Sequence, residues 1–141
     1  MNDSHLFKLA REHSFSADYT GCNKVKIGCI AVYKGTVLAF GANTDKTHPQ
    51  QKKYNRWRFN EDSATKYLPD KCHSEIRVLN QIRYLDIDFS KVYLYIYREL
   101  KNGHPALARP CPSCIAAIRN FGIKHIKYTT YDGFAHEKLE Y

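Results

Sequence analysis

The sequence contains no apolar run near the roughly 18–20 residues that a membrane-spanning helix needs, so no such helix is expected. The opening stretch MNDSHLFKLAREHSF has no apolar h-region, and no secretory signal peptide is expected either. No internal repeat, low-complexity tract or linker divides the 141 residues, which read as a single domain, 1–141. Cysteine is scarce, and its count of five is odd, which argues against a closed disulfide framework. These absences point to a cytoplasmic protein with reduced thiols and no membrane partner. In that setting, paired cysteines more often serve metal or redox chemistry.

A chain of this length can fold around one core without staples. Its 43% hydrophobic and 26% charged residues fit a soluble globular protein. Lys and Arg total 22 against 14 Asp and Glu, a formal charge of +8. That balance favours anionic partners: nucleotides, nucleic acid or acidic surfaces.

Asp3 or Ser4 can cap a first helix whose stripe is Leu6, Leu9, Ala10 and His13. Residues 25–33 and 36–41 are rich in β-formers and meet at Lys34-Gly35, a hairpin signal. Residues 43–68 are polar and aromatic without a clear period, and no element is assigned there. A helix is expected over 73–85, a strand over 91–97 and a loop over 98–109. The next helix, 112–121, has Pro112 in its first turn and Gly122 just past its end. A last strand is expected over 123–130. Helix alternating with strand predicts a parallel pair in an α/β layered domain. The alternating Tyr93, Tyr95 and Tyr97 are expected to pack under helices.

In RPCPSCIAAI, Cys111 and Cys114 stand one turn apart at a helix start. Their side chains share one face, and free N–H groups at the helix tip favour thiolates. Two thiolates make half of a tetrahedral zinc site. The same pair can equally be a redox couple or two small buried hydrophobes. Upstream, in CHSEIRVLNQI, Glu75, Val78, Leu79 and Ile82 line one helical face. Glu75 therefore tops an apolar stripe, where a carboxylate needs a partner, unless it is an exposed first-turn residue. His73 is two residues earlier, nearly opposite on a regular helix. Both can face one ion only if the ion sits off the helix tip.

His73-Ser74-Glu75 followed by Pro110-Cys111-Pro112-Ser113-Cys114 is the H-x-E and P-C-x-x-C signature of zinc nucleobase deaminases. The sequence resembles the cytidine/deoxycytidylate deaminase superfamily, and Gly41–Asn43 after the hairpin extends the likeness. The likeness covers most of the chain outside 45–70. It implies a three-layer α-β-α fold with a mixed sheet of about five strands, where pattern alone supplies four. It implies Zn2+ held by His73, Cys111 and Cys114, with Glu75 as a proton shuttle that is not a ligand. It implies that the backbone at Ser74 and Pro110 orients water and amine, and that Asn43 contacts sugar or base; a turn Asn is the plainer alternative. Family members are often homo-oligomers.

Asp45 could accept from a ribose hydroxyl. Arg109 could contact phosphate or form an ordinary salt bridge, and His48 could reach the pocket or lie on the surface. Cys72 reads as a packed thiol that could substitute as a ligand, and Cys22 and Cys29 read as core. Residues 46–59 carry Lys46, Lys52, Lys53, Arg56 and Arg58 among Tyr54, Trp57 and Phe59, with no acid. Cations with aromatics suit a single-stranded nucleic-acid groove, one nucleotide's phosphate, a subunit interface, or simply a solvated loop. The expected function is hydrolytic deamination of cytosine in a free pyrimidine nucleotide or nucleoside. The rivals are a cytosine or adenine deaminase of single-stranded nucleic acid, and a zinc-stabilised nucleic-acid-binding module without catalysis. The presence of Glu75 speaks against the last, since a structural zinc site has no need of a non-ligand acid.

Overall fold

The computed structural model describes residues 2–15, 26–44, 48–59 and 72–139. Helix α1 runs Asp3–Ser14 and is capped by Asn2, one residue before the expected caps, whose side chain accepts from the His5 N–H at 2.9 Å. Its buried face is Leu6, Phe7, Ala10 and Ser14, with Leu9 and His13 only half-buried. The face turns toward Phe7 because that ring has the most surface to bury. It stacks on Phe134 at 4.0 Å and meets Tyr95 edge-on at 5.2 Å.

Strands β1 (Ile27–Tyr33) and β2 (Thr36–Ala42) form the expected antiparallel hairpin. Lys34 (φ 50) and Gly35 (φ 80) both take left-handed backbone, which matches the twist of the strands. Val25, expected in the first strand, lies outside the described residues. At Gly28, a Cβ would stand 2.0 Å from the Ala10 carbonyl oxygen, so glycine lets α1 lie directly on β1.

The sheet has the order β2-β1-β3-β4-β5, completed by β3 (Val92–Arg98), β4 (His125–Thr130) and β5 (Gly133–Lys138). β3 and β4 are parallel, as the helix–strand alternation predicts, and the other pairs are antiparallel. The sheet is therefore mixed and five-stranded. β5 escapes pattern reading because GFAHEK alternates only half-buried with exposed residues at an edge.

Side chains alternate across the sheet with period two. Ile30, Val32, Tyr95 and Tyr97 pack under α1 with Leu6, Phe7 and Ala10. Cys29, Ala31, Leu94, Ile96 and Ile126 face the other way, onto α3 (Ser74–Ile82) and α4 (Pro112–Phe121). The result is the three-layer α-β-α arrangement. α3 stops at Ile82, three residues short of the expected end, where its apolar face runs out and Arg83, Tyr84 and Leu85 are exposed. α4 ends as expected at Gly122, with φ 87.

The unassigned stretch contains α2 (Pro49–Phe59), which packs against α4. Its inner face carries Gln51, Tyr54 and Asn55, all buried. Two of these three are carboxamides, so no apolar stripe marks the helix in the sequence. Tyr54 Oη accepts from Asn120 Nδ2 at 2.8 Å, which ties α2 to α4. Among the described residues, no helix is long and apolar enough to cross a membrane.

Candidate metal centre

α3 and α4 bring their N-termini together. His73 is the N-cap of α3 and Cys111 the N-cap of α4, both with extended backbone and neither with a side-chain capping bond. Helices usually place Ser, Thr, Asp or Asn there, and forgoing that bond costs about 1 kcal/mol per helix. Here the two side chains meet each other instead. His73 Nδ1 lies 3.3 Å from Cys114 Sγ and 3.5 Å from Cys111 Sγ. All three donor atoms lie within 4.8 Å of one another.

Zinc bonds of about 2.3 Å to sulfur and about 2.0 Å to nitrogen at tetrahedral angles set N···S edges of roughly 3.5 Å. The observed edges match, and one imidazole with two thiols is a zinc donor set. These residues fit that ion. The three donors converge off the two helix tips, where an ion could face both His73 and Glu75.

The two thiols differ in acidity. Cys114 donates to Cys111, which with His73 and Ser113 holds the Cys111 thiol well below the usual range despite its burial. Cys114 is pushed up by that same donation, then by burial and by the Glu75 carboxylate. Ser113 Oγ sits 3.0 Å from Cys111 Sγ.

Glu75 is in the first turn of α3, only 4% exposed. It stands beside the triangle without being a member of it. The Ser74 hydroxyl donates to its Oε1 at 2.5 Å. Cys72 is adjacent but packed, with its thiol directed to the His73 carbonyl at 3.6 Å and raised to about 11 by burial. Cys29 is buried in the core below, and Cys22 lies outside the described residues.

Asn43 follows β2 and is buried. Its Oδ1 accepts from the Ile27 N–H at 3.0 Å and its own N–H donates to the Ile27 carbonyl at 3.2 Å, which locks the open end of the hairpin. The next residue, Thr44, donates to the Cys72 carbonyl at 3.0 Å and so ties that end to the start of α3. Ser74 and Pro110 are buried beside the three donors. Arg109 points to β5, where Glu137 holds it with two bonds of 2.9 Å, the salt-bridge alternative. His48 works at the start of α2, where its Nδ1 accepts from the Gln50 N–H at 3.1 Å. Lys52 and Lys53 are exposed on α2. Asp45, Lys46 and the side chains of Arg56, Trp57, Arg58 and Phe59 lie outside the described residues.

Sequence reading passes over Gln51. It is fully buried, and its Oε1 accepts from the His73 N–H at 3.0 Å. Its Nε2 donates to Asn55 Oδ1 at 2.8 Å. The available signal is a Gln and an Asn at i and i+4, a pairing that supports helix.

Solved structures share the fold. Cytidine deaminase from Burkholderia pseudomallei matches with a TM-score of 0.64 at 14% identity, covering 98% of this chain and 93% of that one. The dCMP deaminase of cyanophage S-TIM5 in apo form matches with a TM-score of 0.58 at 21% identity, covering 91% and 84%. The same phage protein in complex with dCMP and dUMP gives 0.57 at 20%, covering 91% and 82%. Compared with curated proteins by sequence, the chain matches none. The family model for the cytidine and deoxycytidylate deaminase zinc-binding region matches residues 1–130, the span that holds both helix tips and all three donors. The chain therefore belongs to the cytidine and deoxycytidylate deaminase family.

Proposed function

We propose that the chain catalyses zinc-dependent hydrolytic deamination of cytosine in a free nucleotide or nucleoside. The observation that carries this is the donor triangle of His73, Cys111 and Cys114 with a buried carboxylate, Glu75, beside it and outside it. A purely structural site uses four protein ligands, whereas three leave a position open. The phage relative captured with dCMP and dUMP, a cytosine nucleotide and its uracil counterpart, supports the substrate class.

His73, Cys111 and Cys114 are the residues that would hold the metal. When bound, zinc supplies a water acidified to a pKa of about 7. Glu75 takes the proton of the attacking water and passes it to the ring nitrogen. It then delivers a proton to the departing amine. A C–O bond forms at the ring carbon, the C–N bond breaks, and ammonia leaves a carbonyl behind. Ser74 fixes one carboxylate oxygen of Glu75 by its hydroxyl. In this reading the backbone at Ser74 and Pro110 orients water and amine, and Asn43 and Asp45 contact the sugar or base. Arg109 braces the approach to Pro110 through Glu137, and His48 acts through the start of α2.

The test is ammonia release from dCMP, CMP, cytidine and single-stranded oligonucleotides. Turnover of a monomer is expected. Turnover of oligonucleotides alone would move the substrate to a polymer, and no turnover by fully zinc-loaded protein would end the proposal. Glu75→Ala should lower the rate by about 10²–10⁴-fold, the usual worth of a general acid–base, with zinc retained.

A further inference from the structure

We infer that Gln51 is a positioning residue for His73, with Asn55 fixing the orientation of its amide; this rests on the zinc reading above. His73 occupies an N-cap whose side chain makes no capping bond, because the imidazole turns toward the two cysteines. Its backbone must therefore be anchored by something other than its own side chain. Gln51 supplies that anchor from α2, 22 residues away in sequence, by accepting the His73 N–H at 3.0 Å.

The orientation of the Gln51 amide is forced. A backbone N–H can only donate, so the atom facing it must be Oε1. Nε2 then points to Asn55 Oδ1, 2.8 Å away. Both carboxamides are fully buried, and a buried amide is costly unless it is hydrogen-bonded. A helix placed only to cover α4 would be served better by apolar residues here. The N–H bond holds His73 at its extended φ and ψ of −76° and 159°. That backbone sets the direction in which the imidazole leaves the chain, and so the edges of 3.3 and 3.5 Å to the two sulfurs.

The experiment measures zinc affinity of the full chain by competition with a chromophoric chelator, alongside thermal melting of the metal-free protein. Gln51→Met keeps length and removes the acceptor. Gln51→Glu keeps the oxygen facing His73. Outer-shell partners of metal ligands typically carry 10–100-fold in affinity. Gln51→Met should thus weaken zinc binding by about tenfold or more, and Gln51→Glu should restore most of it. Wild-type affinity in Gln51→Met overturns the inference. So does an equal loss in both variants with equal lowering of the metal-free melting temperature, which would mean that only packing was disturbed. If Gln51→Met does not fold, Asn55→Ala takes its place; it leaves Gln51 but unlatches the amide, and unchanged zinc affinity there also overturns the inference. A wild-type protein that binds no zinc would sink both this inference and the proposed function. Tight zinc in every variant would sink this inference alone.

Discussion

Both faces of the sheet are packed with apolar side chains, and they differ in the polar groups they add. Under α1 the contacts are apolar and aromatic, and the polar atoms at the rim are paired with one another. Tyr95 Oη donates to Asp3 Oδ1 at 2.7 Å, and Tyr97 Oη donates to Glu99 Oε2 at 2.6 Å. Burial, then these carboxylate partners, keep both phenols protonated, with Tyr97 pushed up to about 12. On the opposite face two helices bring together a half-buried imidazole and thiol, a buried thiol and a buried carboxylate where their tips converge. Such groups are expensive to bury and contribute little packing. Both faces contribute apolar burial, and the α3/α4 face adds a donor set of the kind that suits zinc. The difference shows where a substitution should touch folding alone and where it should also touch chemistry.

The largest expected effect compares two buried cysteines on the same face. Cys114→Ala should lose its bound zinc and all turnover, while Cys29→Ala, deeper in the core, should keep both; metal analysis of the purified proteins decides. Equal zinc in the two variants would erase the distinction between ligand and core thiol.

Next comes Phe7→Ala on the α1 face. Deleting a buried ring costs about 3–5 kcal/mol, read by denaturant unfolding. Zinc affinity and turnover per folded molecule should not change. A loss of zinc affinity comparable to that of a ligand variant would show that the two faces are coupled through the sheet.

The smallest effect is a pH dependence. Lys127 donates to both Asp3 oxygens, at 3.0 and 2.8 Å. That bond first, then the one from Tyr95, holds the Asp3 carboxyl below its ordinary value. The unfolded chain therefore binds this proton more tightly than the folded one. The stabilisation is present above about pH 4 and is lost as pH falls through the lowered native value. Asp3 is half-exposed, so its worth is at most about 1 kcal/mol. The difference in melting temperature between wild type and Asp3→Asn should shrink from pH 6 to pH 3; a difference that stays constant would rule out the carboxylate as its source.

The elements read correctly from sequence are those whose periodicity is apolar. Ile30 and Val32 alternate with Cys29 and Ala31, and Val78, Leu79 and Ile82 repeat at helical spacing. α2 was not legible, because a helix that buries Gln51 and Asn55 has the composition of a loop. β5 was not legible because an edge strand needs only one neighbour and half a core. Arg109 and His48 show the same limit at the level of single side chains. Which partner a long polar side chain takes depends on what folds beside it, here Glu137 and the Gln50 N–H.

The sequence by itself set out the candidate donors, and their likeness to the deaminase motifs implied the chemistry. Local spacing sets the face on which each side chain emerges, so it places one imidazole, two thiols and one carboxylate at two helix starts. Only the tertiary structure decided that the two helix tips converge, that the donors come within 4.8 Å of one another, and that Gln51 reaches the His73 N–H from a third helix. Those are contacts between distant segments. They are fixed by how layers pack over the sheet, and no local pattern records them.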